Sequence, residues 1–235
     1  MKSAAAATFK REYDRYYIRR FVTEHALTKL APGVRVLDAG SGNREEQIFR
    51  QQILDLGAEL TTCDAKANDG VDVTADLHKL PFPDASFDVL LCIQVLEHVR
   101  YPDVACSEFN RVLKPGGRVI VTVPQISHTH TDGQPPHYFN FTRHGIEACL
   151  VTSRLKVTCI EAQGGHFCVV GQMLHYSTRV LSDSVLPAWF RNFLILFCRF
   201  SFGLVGKKFF HSIDWLDTRQ RSSLGWSVCA IKDIP

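Results

Sequence analysis

Residues 34–47, VRVLDAGSGNREEQ, carry an apolar strand into a glycine turn and on toward a helix. That order restricts the fold, because a strand feeding a helix through a tight turn is the opening unit of a parallel α/β sheet. The pattern recurs. AELTTCD (58–64), VDVTADL (71–77) and FDVLLCI (87–93) are short apolar runs with polar residues at or just past their ends. Helix-forming stretches lie between and after them, from about Arg44 to Leu56, Pro102 to Leu113 and Thr142 to Leu150. LKPGGRVIVTVP, LKVTCIEA and LGWSVCAIK supply later strands. The expected fold is a doubly wound, mostly parallel sheet. Ligands of such sheets sit beyond the carboxyl ends of the strands.

The loop itself narrows the ligand. A dinucleotide fingerprint, G-x-G-x-x-G, needs glycine at position 45, and the chain has Glu45 followed by Glu46. Carboxylates in the first turn after the glycines are unfavourable neighbours for a pyrophosphate. No G-K-[ST] follows, so a Walker loop is absent as well. The loop asks for a nucleoside-like ligand without phosphate. S-adenosylmethionine has that character, with an adenosine, a zwitterionic tail and a cationic sulfonium. Gly40 and Gly42 would let the backbone approach the tail. Asp38, at the first strand end, could attract the ammonium directly or through water. Asp64, 22 residues after Gly42, is placed for the ribose hydroxyls. Asp76 could accept the adenine amino group, with Leu77 against the ring. Asp38 alone could equally be a helix N-cap and Asp64 a turn residue; their placement at successive strand ends favours the ligand reading.

Bulk properties agree with one globular domain. The chain has 235 residues, 46% hydrophobic and 22% charged, with a formal net charge of +3. Residues 1–35 carry eight Lys or Arg against three acids, which gives the N-terminal stretch a basic face. Eight cysteines are scattered with no C-x-x-C, so they read as small buried hydrophobes of a reducing, cytoplasmic environment rather than disulfides or zinc ligands. The Ala4–Ala7 run is too short for a signal-peptide core, and no stretch reaches a spanning length.

VLDAGSG, TTCD, ADLHKLPFPDASFDVLLCIQVLEHV and RVLKPGG occur in an order and spacing that resembles the class I S-adenosylmethionine-dependent methyltransferases. The group is the small-molecule branch, which includes many sugar and lipid modifiers. The resemblance covers roughly residues 33–123 and, more loosely, PPHYFNFTRHGIEACL and LGWSVCAIK. It implies a Rossmann-like, seven-stranded sheet with an antiparallel last strand. It also implies cofactor contacts at Asp38, Gly40, Gly42, Asp64, Asp76 and Gln94. The chain departs from the commonest pattern at Arg44, where many members have a third glycine. One domain is expected over 1–235, with a helical cap over 1–32 and insertions at 124–141 and 164–222 covering the acceptor site.

Methyl transfer from a sulfonium mainly requires alignment of nucleophile, carbon and sulfur. A hydroxyl acceptor adds a proton to be removed, for which histidine is the natural base near neutral pH. The candidates are His98, His128, His130, His137, His144 and His166. His137, in PPHYFNFT, ranks first and His98, just past the fourth strand, second; each could instead be a structural histidine. Tyr138, Phe139 and Phe141 could wall an acceptor pocket, and Arg143 follows as a further acceptor contact. His128, His130, Asp132 and His137 lie close in sequence, but no ligand set of recognised type emerges, so no metal is expected.

LPAWFRNFLILFCRFSFGLVGKKFF (186–210) places Trp189, Phe193, Leu196, Phe197, Phe200 and Leu204 near one helical face. It reads either as an interfacial helix meeting a membrane surface, or as a helix packed over the core or at a homodimer contact. The leading function is O-methylation of a sugar, glycolipid or secondary metabolite. An RNA methyltransferase, with the basic N-terminal helix as a phosphate-facing strip, is the alternative, but Gln94-Val95-Leu96-Glu97 after the fourth strand lacks the N/D-P-P-[YF] tetrapeptide of many base N-methylators. A protein that keeps the cofactor fold without methylating is the third.

Overall fold

The structure is a computed structural model, and it describes residues 12–127, 135–182, 186–198, 207–220 and 222–234. Among the described residues there are seven strands: β1 (Arg35–Ala39), β2 (Glu59–Asp64), β3 (Val73–Thr74), β4 (Phe87–Ile93), β5 (Leu113–Pro124), β6 (Leu155–Ala162) and β7 (Gly225–Lys232). They form one sheet in the order β3-β2-β1-β4-β5-β7-β6. β7 runs antiparallel to β5, and the other strands are parallel. The chain therefore inserts its last strand between β5 and β6. From β1 the order grows through β2 and β3 on one side and through β4 and β5 on the other. The switch point lies between the carboxyl ends of β1 and β4, where a crevice opens.

Side-chain burial explains the strands. Val36, Leu37, Leu90, Leu91, Ile120 and Val121 are buried, as expected of strands covered on both faces. Among the described residues the helices are α1 (Glu12–His25), α2 (Arg50–Asp55), α3 (Pro102–Val112), α4 (Arg143–Thr152), α5 (His166–Ser182), α6 (Ala188–Cys198) and α7 (Lys207–Ser212). α1 buries Ile18, Phe21 and Val22 against the core, whereas Tyr16 is exposed. Pro102 opens α3 at a position where its missing N–H costs nothing. Thr142 caps α4 by accepting from the Gly145 amide.

The most distinctive sequence segments turn out to be scaffold. Arg111 on α3 donates to the carbonyls of Leu80 and Phe82 and to Glu108 and Asp84. Glu108 in turn accepts the Leu80 amide. One guanidinium thereby ties LPFPD to RVLKPGG, which fixes the approach to β4.

The chain divides into two compact units, Met1–Glu161 with Gly225–Pro235, and Ala162–Leu224. In the second unit, Asp214 and Asp217 accept the amides of Gly165, His166 and Cys168 at the start of α5. Carboxylates there satisfy orphan donors and complement the helix dipole. Among the described residues, no helix is long and apolar enough to cross a membrane.

Candidate functional site

A cavity of about 630 Å³ occupies the switch-point crevice of the first unit. Asp38, Gly40, Gly42, Asp64, Asp76, Leu77, Gln94 and His98 all line it. Sequence reasoning placed these residues at successive strand ends, and the sheet order brings the ends together.

The glycine turn is built as follows. The Gly40 and Ser41 amides donate to the Cys63 carbonyl, and the Gly42 amide donates to Asp64 Oδ2 at 2.9 Å. Gly40 has φ +80° and Gly42 φ +65°, the left-handed region that side chains rarely adopt. A Cβ on Gly40 would strike Val95, and one on Gly42 would strike Glu46. The glycines are therefore demanded by the protein's own packing as well as by any ligand.

The missing third glycine has a structural answer. The helix expected from Arg44 begins only at Arg50. Asn43 Oδ1 accepts the Glu45 and Glu46 amides, and Glu46 returns a carboxylate oxygen to the Asn43 amide at 2.9 Å. This local turn competes with helix formation. The Arg44 amide donates to the Asp69 carbonyl, and its side chain pairs with the Asp69 carboxylate. Arg44 thus faces the 69–70 turn, and no helix packs where the third glycine would be needed.

The charge of the wall is mainly negative. Asp38, Glu46, Asp64 and Asp76 contribute carboxylates, against Arg15 and Lys66. Among the described residues nothing donates a hydrogen bond to the Asp38 side chain. Burial, then the neighbouring Asp64 charge, pushes the Asp38 carboxyl up to about 7, partly offset by Arg50. A buried acid without a donor fits an incoming ammonium, and a carboxylate-lined wall fits a sulfonium and repels phosphate. Arg15 and Lys66 are the Arg and Lys side chains on that wall. S-adenosylmethionine therefore fits the residues present.

Asp64 Oδ1 also accepts the Lys66 amide at 3.0 Å, so the carboxylate is fixed while retaining lone pairs for ribose hydroxyls. Asp76 Oδ1 accepts both the amide and Nδ1 of His78, the latter at 2.6 Å. The His78 amide chiefly lowers the Asp76 carboxyl below its ordinary value. Gln94 adopts φ +57°, a strained conformation for its side chain. Its amide and side chain both bond Thr122 of β5, which holds it at the crevice.

His98 follows in a short turn after β4. Its Nδ1 lies 2.8 Å from the Pro136 carbonyl. A carbonyl only accepts, so Nδ1 carries the proton and Nε2 of the neutral ring keeps its lone pair. Burial, and secondarily His137, lowers the His98 pKa, against the raising effect of the carbonyl. His137 packs edge-on against His98, with centroids 5.5 Å apart, and its Nε2 lies 3.2 Å from Asn140 Oδ1. His137, Tyr138, Phe139 and Arg143 do not line the cavity. The Tyr138 and Phe139 amides instead donate to the Glu97 carbonyl and pin the 135–139 segment beside His98. His144 and His166 lie off the wall too. His128, His130 and Asp132 fall outside the described residues. Sequence reasoning missed Arg15, Ile18 and Phe49, whose place on the wall depends on packing and has no local signal.

An α/β sheet with a phosphate-averse cavity at its switch point defines a Rossmann-like protein for an uncharged or cationic nucleoside ligand. Comparison with known proteins makes this specific. A methyltransferase domain family matches residues 37–121. Ubiquinone/menaquinone biosynthesis C-methyltransferase UbiE of Paraburkholderia phytofirmans is 34% identical over 41% of this chain and 45% of that protein. Sterol 4-C-methyltransferase strm-1 of Caenorhabditis elegans is 32% identical over 57% of this chain and 44% of that protein. Among solved structures, the [4+2]-cyclase SpnF superposes with a TM-score of 0.58 at 18% identity, covering 94% of this chain and 81% of that one. The chain spans about half the length of the curated relatives it matches. The match over residues 37–121 and these relatives support a class I S-adenosylmethionine-dependent methyltransferase.

Asp38 gives the first prediction. The free protein keeps this acid protonated up to about pH 7, whereas an adjacent ammonium favours the carboxylate. The complex then binds fewer protons, so affinity rises with pH and levels off above that value. Calorimetry with S-adenosylhomocysteine should show affinity about tenfold higher at about pH 7 than at about pH 5.5. The step should vanish in Asp38→Asn. A flat profile in the parent protein would detach Asp38 from the ammonium.

Proposed function

We propose that the protein transfers the methyl group of S-adenosylmethionine to a hydroxyl of a small acceptor, with His98 as the general base. The supporting observation is the fixed tautomer of His98 on the cavity wall. The bound donor supplies an electrophilic methyl on a good leaving group. Asp38, Asp64 and the glycine turn hold the donor, and the crevice aligns the acceptor with it. His98 Nε2 takes the hydroxyl proton as the ether forms, then returns it to solvent. Its depressed pKa keeps the ring unprotonated at neutral pH. The acceptor class favoured is a sugar, glycolipid or secondary metabolite. Two relatives are named C-methyltransferases, so a carbon acid is the second acceptor type; it uses the same base.

The carboxylates on the wall argue against an RNA substrate. So does the pairing of Arg20 and Arg35 with Glu161 and Glu59. Incubation with donor labelled at the methyl group tests the assignment. Label should appear on the oxygen of an acceptor together with S-adenosylhomocysteine. Donor binding without transfer to any acceptor class would support the non-methylating alternative.

α6 adds a view of the acceptor's origin. Trp189 is 75% exposed, Phe193 60% and Leu196 69%, all on one short helix. Such a face suits the plane of a lipid headgroup layer, where an amphipathic acceptor would be held. The protein should co-sediment with anionic phosphatidylglycerol vesicles, and a Trp189→Ser/Phe193→Ser variant should lose most of that binding. A parent protein that stays in the supernatant would reject the membrane contact.

A further inference from the structure

Among the described residues, one group outside the cavity combines three metal-type ligands: His25, Cys159 and Glu161. His25 ends α1, and Cys159 and Glu161 lie two apart on the same face of β6, at the sheet edge. We propose that His25 Nε2, Cys159 Sγ and Glu161 Oε1 form a three-ligand site for a borderline-soft divalent cation of the zinc class, with the fourth position open to water.

The three atoms lie within 4.8 Å of one another. Glu161 Oε1 is 3.6 Å from His25 Nε2 and 3.9 Å from Cys159 Sγ. Ligands on a tetrahedral zinc ion stand about 3.3–3.7 Å apart, so the three atoms would draw together by up to about 1 Å to close the site. His25 Nε2 is buried and has no hydrogen-bond partner, which is unusual for an imidazole nitrogen in a folded protein. Its ring is oriented by Phe21, whose centroid is 4.3 Å away.

The second carboxylate oxygen is already assigned. Arg20 donates to Glu161 Oε2 at 2.5 Å, which leaves Oε1 turned to the other two ligands. A bond of this kind orients a ligating carboxylate from outside the coordination shell. Burial, then the charges of Glu161, Cys229 and Glu24, holds the Cys159 thiol above its ordinary value. A divalent cation would reverse that preference, releasing the thiol proton as the metal–sulfur bond forms. The donor set of imidazole, thiolate and carboxylate is one that zinc accepts.

The site would tie the end of α1 to the edge strand. α1 also carries Arg15 and Ile18 to the cavity wall, so occupancy should steady that wall.

The test uses the full chain, stripped of metal and titrated with Zn²⁺ or Co²⁺ alone, and it needs no turnover. A single equivalent of Zn²⁺ should raise Tm. Co²⁺ should give a near-ultraviolet thiolate-to-metal charge-transfer band with visible bands of tetrahedral intensity. Cys159→Ser should lose the charge-transfer band, and Glu161→Gln should weaken Co²⁺ at least tenfold. Cys149→Ser should retain both signals. Absence of a Tm shift and band in the parent protein, or a band that survives Cys159→Ser, would overturn the site.

Discussion

Exchanging His98 for glutamine is expected to lower the rate of methyl transfer by about 10²–10⁴-fold, the usual contribution of a positioned base. Cofactor affinity should stay within about threefold, since His98 is assigned to the acceptor's proton and not to the donor. Glutamine keeps a donor for the Pro136 carbonyl but offers no basic nitrogen. The loss should therefore appear in kcat while the 135–139 segment stays in place. His137→Ala should cost only about tenfold, because this ring supports His98 edge-on and lies off the wall. The pH profile provides an independent check. Burial places the His98 pKa below its ordinary value, so kcat should rise with pH and reach its plateau before neutrality. A His98→Gln enzyme with undiminished turnover would remove the base assignment.

Replacing Asp64 with alanine is expected to raise the Kd for S-adenosylmethionine about 10²-fold. Charge-assisted hydrogen bonds contribute about 1.5–3 kcal/mol each, and Asp64 has two tasks. Its Oδ2 accepts the Gly42 amide and so clamps the turn. Its remaining lone pairs, on the cavity wall, are the ones assigned to the ribose hydroxyls. Asp64→Asn separates these roles, because an amide oxygen can still accept from Gly42. That variant should lose only about tenfold. Equal affinities of Asp64→Ala and the parent protein, measured by calorimetry, would exclude both roles.

Several parts of the site could be read along the chain because their signals are local. A strand that ends in aspartate, followed by a glycine turn, looks the same in sequence and in space. Asp38, Gly40, Gly42 and Asp64 needed only the rule that parallel strands end on one edge. The extent of the second helix was not legible. Asn43 and Glu46 form a side-chain turn that delays the helix to Arg50, and the stretch retains helix-forming composition regardless. The placement of His98 on the cavity wall and of His137 behind it was equally hidden. It depends on a carbonyl 38 residues from His98 that fixes one proton.

The sequence by itself determined the parallel α/β layout, the absence of a phosphate-binding turn and the carboxylates at the strand ends, because each follows from residue type and short spacing. The tertiary structure decided which of these groups share a cavity and which imidazole nitrogen keeps a lone pair. It also brought His25 to Cys159 and Glu161 across the sheet edge. Those outcomes rest on contacts between residues far apart in the chain, whose distances and proton positions are set only when the sheet and its covering helices pack.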